Sequence, residues 1–231
     1  MRADKLTNVK KYRTDGTGQK VRRNVENEYV PRTTHLLEFS MAEQLEHGRM
    51  VSNLAYHIAK KIDMSDEQVR NVTIAGLFHD IGKTEIEKIY SITDESALLV
   101  EEMNSVRQHP NKGYEILKRH GYNEEICQAV LHHHENYDGS GYPDNLEGWH
   151  IPIEACILRV CDFFCSLVSD RPYRKAFSGE AAMEMMIEEI KKFDIKVFLA
   201  FQRIVHADDK GTITLPEVNE EVRGVWKTVW N

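Results

Sequence analysis

The stretch LFHDIGK, residues 77–83, ends an apolar helical run with a histidine, an aspartate and, two positions later, a glycine. An adjacent His–Asp pair offers one imidazole nitrogen and one carboxylate, whose two oxygens can bridge two cations. Taken alone, His79 beside Asp80 is more typical of a core histidine next to a helix-ending aspartate. The rest of the sequence must therefore decide whether this pair binds metal.

Helical periodicity continues on both sides of this stretch. Apolar residues recur at helical steps from Phe39 onward. Further helical patterns cover residues 66–80, 95–108, 111–120, 123–134, 153–169, 179–193 and 195–206, and a closing amphipathic helix is predicted to begin near Pro216. Strand-like alternation is nearly absent between residues 39 and 206, so the sequence predicts an all-α bundle.

Three segments follow from these patterns. Residues 1–38 are basic and poor in large apolar side chains, and they predict an N-terminal arm, either a hairpin turning at Asp15-Gly16 or a partly disordered segment. Residues 39–206 form the main domain. Residues 207–231 are predicted to form a C-terminal extension that packs on that domain.

Composition and charge exclude several classes of protein. A chain of 231 residues with 41% hydrophobic content can bury a sizeable core, and its net charge of -7 argues against binding to extended nucleic acid. The first residues lack an apolar leader, and charged residues interrupt the most apolar stretch, residues 155–168, so we expect a cytoplasmic protein that does not enter a membrane. The four cysteines include no CxxC pair and are expected to be buried apolar residues.

Histidines and carboxylates recur near other predicted helix ends. Glu43 and His47 stand four positions apart and share one helix face, so both could reach one metal cluster, although a solvated pair would look the same. His109 precedes Pro110, which suits the first turn of a helix. A helix-entry residue is therefore the simpler interpretation of His109 on its own.

The stretch HHHENYDGSGYP, residues 132–143, places three consecutive histidines before a glycine-rich turn. Successive helix positions point about 100° apart, so three adjacent imidazoles cannot all face one core. His133 and His134 close a predicted helix. Further along, Asp162 interrupts an apolar run where an unpaired carboxylate would be costly to bury, a cost that either a metal or Arg159 could offset.

The complete set of candidate ligands is Glu43, His47, His79, Asp80, His109, His133, His134 and Asp162. This set exceeds the needs of one four-coordinate zinc ion, so a cluster of two or three metals is the simpler hypothesis. Imidazole and carboxylate ligands without thiolate favour iron or manganese, with zinc as an alternative.

Three motifs resemble the HD-GYP subgroup of the HD metal-dependent phosphohydrolases: HDIGK at 79–83, HHENYDGSGYP at 133–143 and DFFCSLVSDRPYRKAFS at 162–178. The resemblance extends from about residue 40 to about residue 206. It implies an all-helical HD-type fold around a binuclear or trinuclear metal centre. It also implies hydrolysis of a cyclic dinucleotide, chiefly cyclic di-GMP, to the linear dinucleotide or further to GMP.

The resemblance also implies roles for individual residues. Carried over by position, the metal ligands are His47, His79, Asp80, His109, His133, His134 and Asp162, and Glu43 occupies the position that serves a third metal in trinuclear members. Asp80 and Lys83 are the expected catalytic residues. The expected substrate-binding residues are Lys83, Tyr142, Arg171, Arg174 and Lys175, although the last three would also suit a solvated helix entry. His132 is the extra histidine, expected to pack or to be solvated.

Two departures from the family pattern bear on substrate preference more than on metal binding. HDIGK continues as TEIEKIYSITDES, where members commonly have IGIPD. Cys165 replaces the second aspartate of the usual DVFDALTSDRPYR, whereas Asp162 is retained.

Other functions remain open from sequence alone. The wider HD superfamily includes other nucleotide phosphohydrolases and di-iron oxygenases, and a non-enzymatic cyclic-dinucleotide receptor or interaction module would carry a structural or redox-sensing metal centre. The resemblance also suggests a protein partner at the GYP turn. Trp226 and Trp230 are expected to be core residues or, in a homodimer, residues at the contact between the two subunits.

Overall fold

The structure, a computed structural model, describes residues 13–14, 20–21, 41–86, 104–171, 174–205 and 215–230. The chain divides into two units, Met1–His35 and Leu36–Asn231. In the first unit, strand β1 (Arg13–Thr14) pairs antiparallel with strand β2 (Lys20–Val21). The remainder of the predicted N-terminal arm lies outside the described residues.

The second unit is helical, as the sequence predicts, and the all-α fold class is confirmed. The described part of this unit contains α1 (Met41–Lys61), α2 (Asp66–Phe78), α3 (Lys83–Ile86), α4 (His109–Arg119), α5 (Glu124–Leu131), α6 (Ile153–Leu167), α7 (Gly179–Glu188), α8 (Ile195–Ile204) and α9 (Glu220–Trp230). Two 3₁₀ turns, Gly148–His150 and Ile190–Lys192, lie between helices. Of the predicted helix 95–108, only residues 104–108 are described, and residues 104–106 are helical.

Polar side chains fix where several helices begin. Ser65 and Gln68 form a capping box at the start of α2, in which each side chain bonds the backbone of the other residue. Asn219 accepts a hydrogen bond from the backbone of Val222 at 2.9 Å. This cap explains why α9 begins at Glu220. The sequence predicts a start near Pro216 instead.

Two of the predicted helices end early in the structure. The predicted helix 123–134 stops at Leu131, because His132 and the two following histidines leave the helical path. The predicted helix 179–193 divides at Glu189 into α7 and a 3₁₀ turn.

An apolar core joins the helices of the second unit. Helix α1 packs against α2, α6 and α8, while α5 contacts α2, α4 and α6. The largest fully buried apolar side chains of this core are Val51, Leu54, Ile58, Ile157, Leu158, Phe164, Met186 and Phe201. All four cysteines are buried and free, as expected.

The last helix packs on the first two. Trp226 is buried and donates from Nε1 to Ser52 Oγ at 2.9 Å, while Asn53 Nδ2 donates to the carbonyl of Pro216 at 2.6 Å. Trp226 is therefore a core residue, and the side chain of Trp230 lies outside the described part. Among the described helices, none has the length and apolarity needed to cross a bilayer.

Candidate metal centre

Five helices bring histidines and aspartates to one place. His47 lies on α1 and Asp162 on α6, both facing inward, while the other candidates stand at helix ends. Those at helix ends are His79 and Asp80 after α2, His109 at the first position of α4, and His133 and His134 after α5. The structure thus brings together seven of the eight candidate ligands.

Asp80 is shared by two groups of possible ligands. One group is Asp80 with His109, His133 and His134, and the other is Asp80 with His47 and His79; within each group the ligand atoms lie within 4.8 Å of one another. Asp80 Oδ1 lies 3.2 Å from His109 Nε2, and Oδ2 lies 3.4 Å from His79 Nε2. One carboxylate therefore faces both groups, each through a different oxygen.

Asp162 lies next to the ligand group that contains His47 and His79. Its Oδ1 lies 3.0 Å from His47 Nε2 and 3.7 Å from His79 Nε2. Arg159, the alternative partner considered for this buried carboxylate, instead donates from Nε to Asn136 Oδ1 at 2.9 Å. Asp162 is thus hydrogen-bonded to His47, which is itself a candidate ligand.

Backbone carbonyls orient three of the histidines. His79 Nδ1 donates to Gly76 O at 2.8 Å, His109 Nδ1 to Val106 O at 2.5 Å, and His133 Nδ1 to Val130 O at 2.6 Å. A carbonyl can only accept, so each ring carries its hydrogen on Nδ1. The Nε2 atom of each ring is left to face the centre, as is usual for histidines that bind metal.

The nitrogens that face the centre suit a cation. Burial, together with neighbouring histidines, lowers the pKa of His133 and His134 well below the ordinary value, so both rings stay neutral at pH 7. His109 Nε2 lies only 3.2 Å from His133 Nε2. Two lone pairs at that distance repel unless a cation or proton lies between them. His79 Nε2 is also buried and, within the described residues, has no hydrogen-bond partner.

The carboxylates remain anionic. Burial would raise the pKa of Asp80, but Lys83 and His79 outweigh burial and hold it well below the ordinary value. For Asp162, the hydrogen bond from His47 and the nearby ring of His79 likewise outweigh burial and hold the pKa well below the ordinary value. Buried anions beside the neutral imidazoles of His133 and His134 form a donor set that fits divalent metals.

A cavity of about 150 Å³ opens beside the group that contains His47. Its lining residues are Glu43, Gln44, Glu46, His47, Met50, Asp80, Lys83, Ser169, Asp170 and Arg171. Glu43 is exposed at this cavity and belongs to neither of the two ligand groups. Its predicted role toward a third metal therefore stays a prediction.

Two cations in this cavity are tied to the aspartates. Lys83 Nζ donates to Asp80 Oδ2 at 2.6 Å. Arg171 donates from Nη2 to Ser166 Oγ at 2.7 Å, and Ser166 in turn donates to Asp162 Oδ1 at 3.1 Å. Both cations are consequently held at fixed positions next to the candidate ligands.

The other two predicted basic residues lie elsewhere. Arg174 donates to the carbonyls of Ser166, Leu167 and Lys175 at 2.7 to 2.9 Å, which satisfies the C-terminal end of α6. Lys175 is exposed and pairs with Asp170 at 2.8 Å. Neither side chain lines the cavity.

The matches to known proteins agree with this geometry. The HD domain family model matches residues 31–197. The chain belongs to the HD domain family. The cyclic di-GMP phosphodiesterase response regulator RpfG of Xanthomonas campestris is 36% identical over 162 residues, which cover 68% of this chain and 42% of that protein. The 3′3′-cGAMP-specific phosphodiesterase 1 of Vibrio cholerae is 31% identical over 156 residues, covering 66% of this chain and 36% of that protein.

A solved structure shows the same fold. An HDGYP protein from Bdellovibrio bacteriovorus matches with a TM-score of 0.56 at 17% identity, covering 72% of this chain and 54% of that one. The predicted membership of the HD-GYP subgroup is confirmed by the family match together with the curated relatives. The chain spans about two fifths of the length of the two curated relatives, at 42% and 36%.

The glycines of the HD-GYP motifs permit close backbone contacts. A Cβ atom on Gly82 would lie 2.0 Å from the carbonyl oxygen of His109 and 2.6 Å from the nitrogen of Gly113. A Cβ atom on Gly141 would lie 2.4 Å from Cα of Glu135. Gly82 thus lets α4 approach the His–Asp pair, and Gly141 lets the GYP turn fold back on the histidine run.

The extra histidine of this HD-GYP chain is buried and bonded. His132 Nδ1 donates to Gln128 O at 3.1 Å, and its Nε2 lies 3.0 Å from Asp144 Oδ2. The backbone nitrogen of Asp144 also donates to Glu135 Oε1 at 2.7 Å. His132 therefore packs, which is one of its two expected fates, and it joins the end of α5 to the GYP turn.

Sequence reasoning overlooked several contributors to this HD-domain site. They are the carbonyl groups of Gly76, Val106 and Val130, the hydroxyl of Ser166, and the carboxylate of Asp144. The carbonyls carry no residue-type signal, but each stands three positions before a histidine near a helix end. That spacing is the one signal by which they could have been found.

Proposed function

We propose that the chain is a metal-dependent phosphodiesterase that hydrolyses a cyclic dinucleotide, with cyclic di-GMP as the first candidate and the linear dinucleotide as product. The observation that carries the proposal is Asp80, whose two oxygens face two separate groups of ligands while Lys83 holds one oxygen at 2.6 Å. The curated relatives support this choice, because their names specify cyclic di-GMP and 3′3′-cGAMP phosphodiesterases.

The residues present would hold at least two metals. His109, His133 and His134 would bind one, His47 and His79 with Asp162 would bind another, and Asp80 would contribute to both. Iron or manganese suits these ligands, with zinc as an alternative and Glu43 as the candidate ligand for a third ion. Divalent metals held there would supply Lewis acidity toward phosphoryl oxygens and activate water as the nucleophile.

The chain's own side chains bind and orient the diester. Lys83 and Arg171 line the cavity beside the aspartates and offer positive charge to the phosphoryl oxygens. Arg171 is held by Ser166, so its guanidinium is preorganised and loses little side-chain freedom when it binds a phosphate. Because Lys83 also contacts Asp80, it stabilises the carboxylate and the developing negative charge at the same time.

The proposal is tested by a comparison of substrates. Protein purified without oxygen is incubated with cyclic di-GMP, 3′3′-cyclic GMP-AMP, cyclic di-AMP and dGTP, and the products are separated by chromatography while oxygen uptake is recorded. Linear dinucleotide without oxygen uptake supports the proposal. Oxygen uptake, cleavage of dGTP alone, or tight binding of a cyclic dinucleotide without turnover would assign the chain to another class.

Two predicted interactions stay predictions. The GYP turn leads into Gly148–His150, where the side chain of Trp149 is 83% exposed, and this tryptophan supports a protein partner at that surface. A homodimer is the other prediction. Sedimentation of the protein alone tests the homodimer, and Trp149→Ala in a binding assay with a candidate partner tests the surface.

A further inference from the structure

Arg107 is linked by an aromatic stack to the ligand group that contains His134. The ring of Tyr142 stacks on His134, with centroids 4.8 Å apart and planes 22° apart. The guanidinium carbon of Arg107 lies over the Tyr142 ring, 5.3 Å from its centroid. A chain of contacts therefore leads from a candidate ligand to an exposed cation that neither motif nor spacing indicates.

This cation stands apart from the two in the cavity. Lys83 and Arg171 line the cavity with His47 and Asp80, whereas His134, Tyr142 and Arg107 are not among its lining residues. The two positive sites thus adjoin different groups of ligands. They share Asp80 as the residue between them, because Asp80 belongs to both groups.

Arg107 is available to a ligand. Its side chain is exposed, and within the described residues it forms no salt bridge. His109, two positions later, is anchored to the carbonyl of Val106 at 2.5 Å, so the backbone around Arg107 is tied to the centre. An exposed arginine on a fixed backbone, with its guanidinium carbon over a tyrosine ring, is well suited to bind an oxyanion.

We propose that Arg107 binds the phosphate of the cyclic dinucleotide that is not being cleaved. This inference rests on the proposed function and deepens it. A cyclic dinucleotide carries two phosphodiesters, and cleavage of one at Asp80 leaves the other to be held. Lys83 and Arg171 bind the phosphodiester that is cleaved. The guanidinium of Arg107 binds the second phosphodiester through two hydrogen bonds.

The test compares a substrate that has a second phosphate with one that lacks it. The variants are Arg107→Ala and Arg107→Lys, and the matched control is Arg203→Ala, an exposed arginine on α8 away from the site. The steady-state constants kcat and KM are measured for cyclic di-GMP and for bis(4-nitrophenyl) phosphate. We expect Arg107→Ala to raise KM for cyclic di-GMP about tenfold, the effect of one charge-assisted hydrogen bond, with a smaller change in kcat. For bis(4-nitrophenyl) phosphate we expect no change.

The outcomes separate the alternatives. An unchanged KM for cyclic di-GMP in Arg107→Ala overturns the inference, and so do equal losses on both substrates or a loss of bound metal, which would show that Arg107 only supports Tyr142 and His134. Partial recovery in Arg107→Lys supports a phosphate contact, whereas a lysine variant as defective as alanine would favour stacking on a base instead. If the wild-type protein cleaves no cyclic dinucleotide, the proposed function itself fails.

Discussion

Lys83 Nζ lies 2.6 Å from Oδ2 of Asp80, the carboxylate that belongs to both groups of candidate ligands. This contact joins the part of the site that would hold metal to the part that would hold phosphate. It also explains why the pKa of Asp80 stays low despite burial. Substitution of Asp80 should therefore reduce both metal binding and turnover, whereas substitution of Lys83 should reduce turnover alone.

Asp80→Asn should remove both metal binding and activity. The amide loses the negative charge and one of the two acceptor oxygens, so the two ligand groups no longer share an anion. We expect metal content to fall below one ion per chain and kcat to fall by at least about 100-fold. Elemental analysis and product chromatography measure the two effects, with Glu115→Gln, an exposed residue of α4, as the control. Full metal content in Asp80→Asn would contradict the shared role of Asp80.

Lys83→Met should separate phosphate binding from metal binding. The methionine keeps the apolar part of the side chain but removes the charge that faces the phosphoryl oxygens. We expect kcat to fall by about 10²- to 10³-fold, as when one electrostatic contact to a transition state is lost, while metal content stays at the wild-type value. Loss of metal in parallel with activity would show that Lys83 acts only through Asp80.

Metal binding should strengthen as the pH rises. Burial opposes a charge on His79, but Asp80 and Asp162 outweigh burial and raise its pKa to about 10. In protein stripped of metal, the stability contributed by this protonated ring is fully present below the ordinary pKa of about 6.5 and is lost as the pH rises through about 10. Metal must displace that proton.

The difference in Tm between metal-loaded and stripped protein should therefore widen between pH 6.5 and pH 8.5. Differential scanning calorimetry at fixed free metal concentration measures it. A difference that is constant or that narrows over this interval would show that His79 does not exchange a proton for metal.

Gly82→Ala should displace α4 from the centre. The added Cβ would lie 2.0 Å from the carbonyl oxygen of His109 and 2.6 Å from the nitrogen of Gly113, both backbone atoms that cannot move alone. We expect a destabilisation of about 1–3 kcal/mol and reduced metal content, because His109 moves with the helix. Gly224→Ala in α9 is the matched control, since nothing lies within 4 Å of its Cβ and alanine favours a helix. Equal stability of the two variants would contradict the close approach.

The His132–Asp144 pair should couple the histidine run to the GYP turn. Asp144 is more than half exposed, so solvent screens the pair and we expect a coupling free energy of about 1 kcal/mol or less in a double-mutant cycle. The cycle uses His132→Ala, Asp144→Ala and the double variant, with unfolding in urea as the measurement. A coupling free energy of zero would show that His132 contributes to stability only through packing.

Residue type and periodicity predict much of this fold and of its site. Apolar spacing locates most of the helices, and helix-end positions place His79, His109 and His133 in one candidate set. What the sequence does not predict depends on contacts between distant segments. Arg174 is expected at the substrate, which stays a prediction; its hydrogen bonds to the carbonyls at the end of α6 depend on the path of the chain after α6, which no local pattern gives. Arg107 is not predicted because its partner Tyr142 lies 35 positions away.

Whether two metals share Asp80 is decided by the number of metal ions per chain in protein purified without oxygen, with cyclic di-GMP turnover measured on the same preparation. Two groups of ligands that share Asp80 predict two or three ions of iron or manganese per chain and release of the linear dinucleotide. A single ion per chain in active protein would contradict the shared carboxylate, and two bound ions with no cleavage of any cyclic dinucleotide would contradict the proposed reaction.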